Sequence, residues 1–220
     1  MKRITLALCA AAFLISSCNN DTKTDEKTAS ESTKESSSAD KDHKEAWVAV
    51  DSATMMKSWM EFMTPGEPHA MMAKSNGTWN GEMTMWMEEG GAPQKSMVKS
   101  VNTMILGGRY QQSKHTGSFE GMPFEGVATM GYDNAKKMYV SSWVDNMGTG
   151  IMNLSGTWDD ASKTVTLTGT QTNPATGKDC DIKETFKIVD ENTQIMEMWG
   201  PDMKTGKQFK TMEIKYTRGK

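Results

Sequence analysis

Cysteine is nearly absent from this chain: three occur in 220 residues, at Cys9, Cys18 and Cys180, too few for a scaffold stapled by disulfides. Also missing is any unbroken apolar run of the roughly 18 residues that a membrane-spanning helix needs. Positive charge is not in excess, with 25 basic against 28 acidic residues and a net charge of −3. No basic cluster stands out, which removes the electrostatic footprint of a nucleic-acid binder. Histidine occurs only at His43, His69 and His115, and leucine past residue 18 only at Leu106, Leu154 and Leu167. The signatures of common catalytic sites are absent too: no Gly-x-Ser-x-Gly, no phosphate-cradling glycine loop and no His-Glu-x-x-His. The chain therefore reads as a binding or structural protein rather than an enzyme. What it does have is 36% hydrophobic residues, only 6 prolines and an unusual 21 methionines, enough to bury a core in one domain of ordinary size.

The first residues have the layout of an export signal, expected over residues 1–17. Lys2 and Arg3 supply the charged start, Leu6 to Ile15 the apolar stretch, and Ser16-Ser17-Cys18 the small-residue exit. Ile15-Ser16-Ser17-Cys18 resembles the lipobox of bacterial lipoproteins, which implies that Cys18 receives a diacylglycerol anchor and becomes the first residue of the mature chain. Asn19 follows it; an aspartate there would resemble an inner-membrane retention signal, so the expected location is the cell envelope, at the outer membrane. Residues 19–45 contain two alanines and otherwise only polar or charged side chains. Such a composition cannot offset its ordering entropy. Residues 18–46 are thus expected to form a lipidated, disordered tether of about 30 Å mean span, with His43 solvated inside it and the folded domain over 47–220. Cys180 is then the one thiol of the folded part, flanked by Asp179 and Asp181. Those carboxylates oppose a thiolate, and Cys180 is read as a buried small apolar residue.

Met55, Met56, Trp59, Met60 and Met63 recur at helical spacing, with Asp51 or Ser52 to cap the start and Pro65-Gly66 to stop it. This predicts a helix burying its methionine stripe. A second short helix is expected from Pro68 to about Lys74, stopped by Asn76-Gly77. Beyond Gly77 the chain becomes short runs rich in Thr, Val, Met and aromatics, separated by turn signals at Gly90-Gly91, Gly107-Gly108, Asp133-Asn134, Asn146 to Gly150, Asp159-Asp160, Asn173 to Gly177, Asp190 to Asn192 and Pro201 to Gly206. Nine or ten antiparallel strands follow. Val165 and Leu167, or Met212, Ile214 and Tyr216, alternate with polar neighbours, so one face is packed and the other wet. A meander of this many strands without a crossover removes its edges by closing. Trp79 shares a strand face with Met83, Met85 and Met87, and Arg218 ends the last strand on the face of Tyr216. A Gly-x-Trp on the first strand and a late Arg resemble the pair that closes one end of lipocalin-like barrels, with the guanidinium over the indole. The fold class expected is mainly β: a single antiparallel, about ten-stranded lipocalin-like β-barrel with one or two short N-terminal helices.

Residues 55–218 are similar to the bacterial family of unknown function DUF1579. The resemblance is carried by Pro65-Gly66-Glu67-Pro68-His69, Gly77-Thr78-Trp79, Gly107-Gly108-Arg109-Tyr110, Phe124-Glu125-Gly126, Gly131-Tyr132-Asp133-Asn134, Ser142 through Gly150, and Tyr216-Thr217-Arg218. It implies a secreted or envelope location and no particular activity.

Three constellations compete for a functional role. Met60, Met63, Met71 and Met72 with His69 offer thioethers and an imidazole of the kind that suits Cu(I); against this, methionine stands where leucine is usual, and Leu-to-Met is a well-tolerated core exchange. His69 and His115 have no His or Cys neighbour at zinc-ligand spacing. The related nitrobindin-type haem barrel uses a histidine late in the chain, and none follows His115, so no cofactor is expected; His69 reads as a helix N-terminal residue bonded to backbone. The third constellation is Tyr139, Ser141, Trp143 and Asp145, on one strand face that leads into a glycine-rich turn through Thr149. Pointing inward, they line a pocket; pointing outward, they are surface pairs while Val140 and Val144 fill the core. Arg109 has three candidate partners: Asp145, Asp133 or a ligand carboxylate. Gly131-Tyr132-Asp133-Asn134 reads as a hairpin turn alone. The expected function is thus binding of a small hydrophobic or amphipathic molecule, with Arg109, Tyr139, Trp143, Asp145, Thr149 and His69 as candidate contacts. The alternatives are a Met-rich Cu(I)-binding protein and a ligand-free module for a protein partner.

Overall fold

The computed structural model describes residues 47–220. The expected signal peptide, Cys9, the lipidation site Cys18 and the tether with His43 lie outside the described residues. The element order is α1 (Ser52–Met63), α2 (Glu67–Ala73), β1 (Gly77–Met85), β2 (Gln94–Ile105), β3 (Tyr110–Phe119), β4 (Met122–Asp133), β5 (Met138–Asp145), β6 (Met152–Asp159), β7 (Thr164–Thr172), β8 (Asp179–Asp190), β9 (Thr193–Pro201) and β10 (Gln208–Arg218). Every strand pairs antiparallel with its sequence neighbours, and β1 pairs with β10 from Trp79↔Arg218 to Met85↔Met212, closing the barrel. Closure leaves no strand at the edge of an open sheet.

The turn signals number eight and delimit nine strands. The tenth strand comes from a hairpin between β3 and β4 at Glu120-Gly121, where both residues take positive φ, 49° and 81°. This is the two-residue turn geometry in which Asn-Gly or Asp-Gly is usual, and glutamate in the first position hides it from a search on turn composition.

Alternation places the core as expected on several strands. Val165 and Leu167 of β7, Met152 and Leu154 of β6 and Tyr139 of β5 are buried together with Met72 of α2; Trp79, Val98, Met196, Ile214 and Tyr216 form a second buried group. Cys180 is half-buried at the start of β8. Met87, expected beside Met83 and Met85 on the packed face, lies past the end of β1 and is 59% exposed.

The two helices part company. Asp51 caps α1, its carboxylate accepting the amides of Ala53 and Thr54, as the sequence predicts. The expected burial of its methionine stripe is not found: α1 buries no residue, and Met56 and Trp59 are 65% and 51% exposed. The reason is positional, because the adjoining end of the barrel is already filled by α2, whose Met72 enters the core. What holds α1 is Asn134, in the turn after β4: its amide nitrogen donates to the carbonyls of Glu61, Phe62 and Thr64 at 3.1, 3.3 and 2.8 Å. The Gly131–Asn134 segment is therefore more than a hairpin turn.

Candidate functional site

Inside the barrel lies a cavity of about 400 Å³. Its two ends differ. Where β1 begins, the lining residues Trp79, Ser100, Gln194 and Gln111 are 1, 2, 5 and 7% exposed, so this end is sealed. The Arg218 guanidinium lies 4.3 Å from the Trp79 ring centroid, as the lipocalin resemblance implies. It also donates to the carbonyls of Glu191, Asn76 and Lys74, the last being an acceptor that α2 leaves free at its C-terminus. Trp79 Nε1 and Asn102 Nδ2 donate to the Ser75 carbonyl, Gln111 Nε2 to that of Met72, and Gln194 Nε2 to the Ser75 hydroxyl. At the other end the cavity wall includes Phe119, Phe124, Asp145 and Met147, and Met147 is itself 43% exposed. This end is the mouth.

The wall is soft and apolar. Of its 34 lining residues, ten are methionines, unbranched side chains that conform to irregular shapes. Half of the twenty methionines among the described residues thus stand around a void. Tyr139, Ser141, Trp143 and Asp145 all line the cavity, so β5 turns this face inward while Val144 is 41% exposed. Trp143 donates its indole N–H to Asp145 Oδ2 at 2.7 Å and packs edge-on against His115 at 5.2 Å and over Phe124 at 6.3 Å. A glycine makes this packing feasible: a Cβ on Gly126, which pairs with both His115 and Asp145, would sit 2.4 Å from the Trp143 ring. Gly81 does the same for Tyr216, whose ring would lie 2.9 Å from an added Cβ.

Other expected contacts lie elsewhere. Arg109 belongs to the turn between β2 and β3, is exposed, and donates to the Leu106 carbonyl at 3.2 Å. Antiparallel register explains why it cannot meet Asp145: neighbouring Tyr110 pairs with Gly131 at the sealed end, whereas Asp145 pairs with Gly126 near the mouth. It forms no ion pair with Asp133 either. Thr149 is exposed in the loop after β5 and is not part of the wall. His69 is 6% exposed but outside the cavity; its Nδ1 accepts the Gly66 amide at 3.0 Å and its ring meets Tyr132 edge-on at 6.0 Å. Burial pushes its imidazole pKa down. The Cu(I) set is likewise dispersed: Met60 and Met63 are exposed on α1, while Met71 and Met72 face the cavity. Among the described residues no cluster of three or more His, Cys, Asp or Glu side chains is placed to hold a metal.

Two interior groups, His115 and Glu184, carry no mark in the sequence that points to the cavity, and they sit beside Tyr216 of the packed face. His115, in the cavity wall beside Trp143, is pushed down to about 4 by burial and is therefore a neutral imidazole, with Nδ1 3.4 Å from the Tyr216 hydroxyl. Burial and the nearby Glu184 push the Tyr216 phenol well above its usual value. Glu184 of β8 lines the cavity, and burial pushes its carboxyl up to about 7. Tyr139, another lining phenol, is raised to about 12, mainly by burial. The only signal in the sequence for Glu184 is parity: it shares its strand face with Ile182, Phe186 and Ile188.

No curated protein matches the chain. Residues 64–218 match the family described as protein of unknown function (DUF1579). Among solved structures, the barrel is similar to that of Rv2717c from M. tuberculosis, with a TM-score of 0.54 at 11% identity, covering 71% of this chain and all (100%) of that one. It is also similar to the S-type phycobiliprotein lyase CPES from Guillardia theta, with a TM-score of 0.50 at 8% identity, covering 74% and 97%. At these identities the likeness is one of fold, a lipocalin-like barrel.

Proposed function

This chain belongs to the DUF1579 family, and we propose that it binds a small hydrophobic or amphipathic molecule in its barrel while tethered to the cell envelope by lipid on Cys18. The observation that carries the binding reading is the cavity: about 400 Å³, closed at one end, with a mouth at the other and a wall in which thioethers and aromatics predominate. Enclosure of that size with a few polar groups on an apolar lining is the usual make-up of a small-molecule site. Trp143, held by Asp145 and backed by Gly126, forms the shelf nearest the mouth, and Tyr139 the floor toward α2. The fold shared with a phycobiliprotein lyase is compatible with such a role. The envelope half rests on Lys2-Arg3, the apolar stretch to Ile15 and Ser16-Ser17-Cys18, an arrangement that directs export and lipidation.

Native mass spectrometry of the full chain, exported in a bacterium and purified gently, tests the first half. An added organic mass that Trp143→Ala fails to retain is expected; a bare mass combined with no uptake of a hydrophobic fluorophore would sink it. Metabolic labelling with a fatty acid tests the second: label on the wild type and none on Cys18→Ala is expected, and an unlabelled wild type removes the anchor.

A further inference from the structure

The cavity wall is lopsided in charge. Of its 34 lining residues two are acidic, Glu184 and Asp145, and none is lysine or arginine. His115, the remaining titratable nitrogen in the wall, adds no positive charge because burial keeps it neutral. The two carboxyl groups differ in how they are satisfied. Asp145 accepts the Trp143 indole N–H and the Met147 amide. Glu184 takes part in none of the ion pairs among the described residues. The strands beside it bring no countercharge: Val165 and Leu167 face inward from β7, and Met196 and Met198 from β9. The titratable group that feels its charge is the Tyr216 phenol of β10, whose hydroxyl lies 3.4 Å from His115 Nδ1.

We infer that the ligand is a cationic amphiphile, an apolar body bearing an amine or similar positive head, and that Glu184 is the seat of that head. This rests on the binding reading above and narrows it. A carboxylate enclosed by apolar wall is stabilised in its charged form by hydrogen-bond donors or by an opposite charge at contact distance, and an ammonium supplies both. A fatty carboxylate would meet Glu184 and Asp145 as like charges, with no cation in the wall to receive it. Methionine sulfurs and the faces of Trp143 and Phe124 line the way from the mouth, and aromatic faces also tolerate a passing cation. Burial holds the Glu184 carboxyl up to about 7, so an entering ammonium favours its ionised form and displaces the proton from the fraction that carries one.

Decylamine, decanol and decanoate serve as probes of one chain length, titrated against the full chain with Trp79, Trp143 and Trp158 in the wall as the fluorescent reporters. Decylamine is expected to bind most tightly, decanol less so and decanoate not measurably. Glu184→Gln, nearly the same shape, should weaken decylamine by about tenfold to a hundredfold and decanol far less, without lowering the melting temperature, since it removes a buried ionisable group. In the wild type, decylamine affinity should rise between about pH 6 and about pH 8, and this slope should vanish in Glu184→Gln. If decanoate or decanol binds as well as decylamine, or if Glu184→Gln leaves decylamine unaffected, the cationic ligand is wrong and the binding cavity stands. If none of the three perturbs the tryptophans, both fall.

Discussion

The sealed end and the mouth of the barrel draw on similar residue types and reach opposite outcomes. At the sealed end, Trp79 is 1% exposed beneath Arg218, and the carbonyls of Lys74, Ser75, Asn76 and Glu191 each receive a side-chain N–H. At the mouth, Trp143 is only half-buried and its N–H goes to Asp145, a side chain of its own strand. One tryptophan is covered by Arg218 from the far end of the chain, its N–H going to Ser75, and the other packs on Gly126 and is covered by no such distant group. The contrast separates stability from access: a barrel held at one end by a cross-chain polar net can leave its other end loosely covered, which a ligand needs in order to enter.

That contrast predicts a graded series. Trp79→Ala empties the sealed end and should cost about 3–5 kcal/mol in denaturant unfolding; a loss as small as that of a surface change would mean that this end is not where stability resides. Arg218→Ala strips three backbone carbonyls of their donor and should cost roughly 1–3 kcal/mol, with retention of ligand at the other end unchanged in native mass spectra. Trp143→Ala reverses the pattern: about 1–2 kcal/mol in stability, but at least tenfold weaker ligand binding by fluorescence titration.

The mouth should also be the acid-sensitive end. Asp202, 4% exposed, accepts the amides of Glu89, Lys204 and Thr205, and these bonds hold its carboxyl down to about 2. Since the folded value lies below the unfolded one, the ionised group contributes stability above about pH 4, and that contribution is lost as pH falls toward 2. Asp202→Asn should flatten the melting temperature over this window, whereas the carbonyls and amides of the sealed end do not titrate. The smallest effect belongs to α1: Asn134→Ala should change global stability by less than about 0.5 kcal/mol while raising amide hydrogen exchange across Ser52–Met63. A large loss there would show that the exposed helix is part of the cooperative unit.

Much of this architecture is legible in the order of the amino acids. Turn residues, the inward parity of Val165 and Leu167, and the Gly77-Thr78-Trp79 and Arg218 pair lead to a closed meander with one end capped. The hairpin at Glu120-Gly121 escapes because its geometry needs positive φ at a residue type that seldom takes it. The stripe of α1 misleads because periodicity reports which face is apolar and not whether anything lies against it. The site is half legible. Tyr139, Trp143 and Asp145 are found by strand parity, but parity alone leaves inward and outward equal. Arg109 is misplaced when its nearness to Asp145 is judged without register, since the two sit at opposite ends of the barrel. Glu184 and His115 look like ordinary polar positions, because a lone carboxylate or imidazole in a strand carries no local mark of the void it faces.

The family, the strand meander, the capping of α1 by Asp51 and the pairing of Trp79 with Arg218 all follow from the amino acids alone, because each depends on residues within a few positions or on two chain ends that must meet when a barrel closes. The folded barrel was needed to establish that the methionines surround a void, that α2 rather than α1 plugs one end, and that Glu184 stands in the wall without a countercharge. Those outcomes depend on what ten strands leave unfilled at their centre, a property of the closed assembly that no single segment encodes.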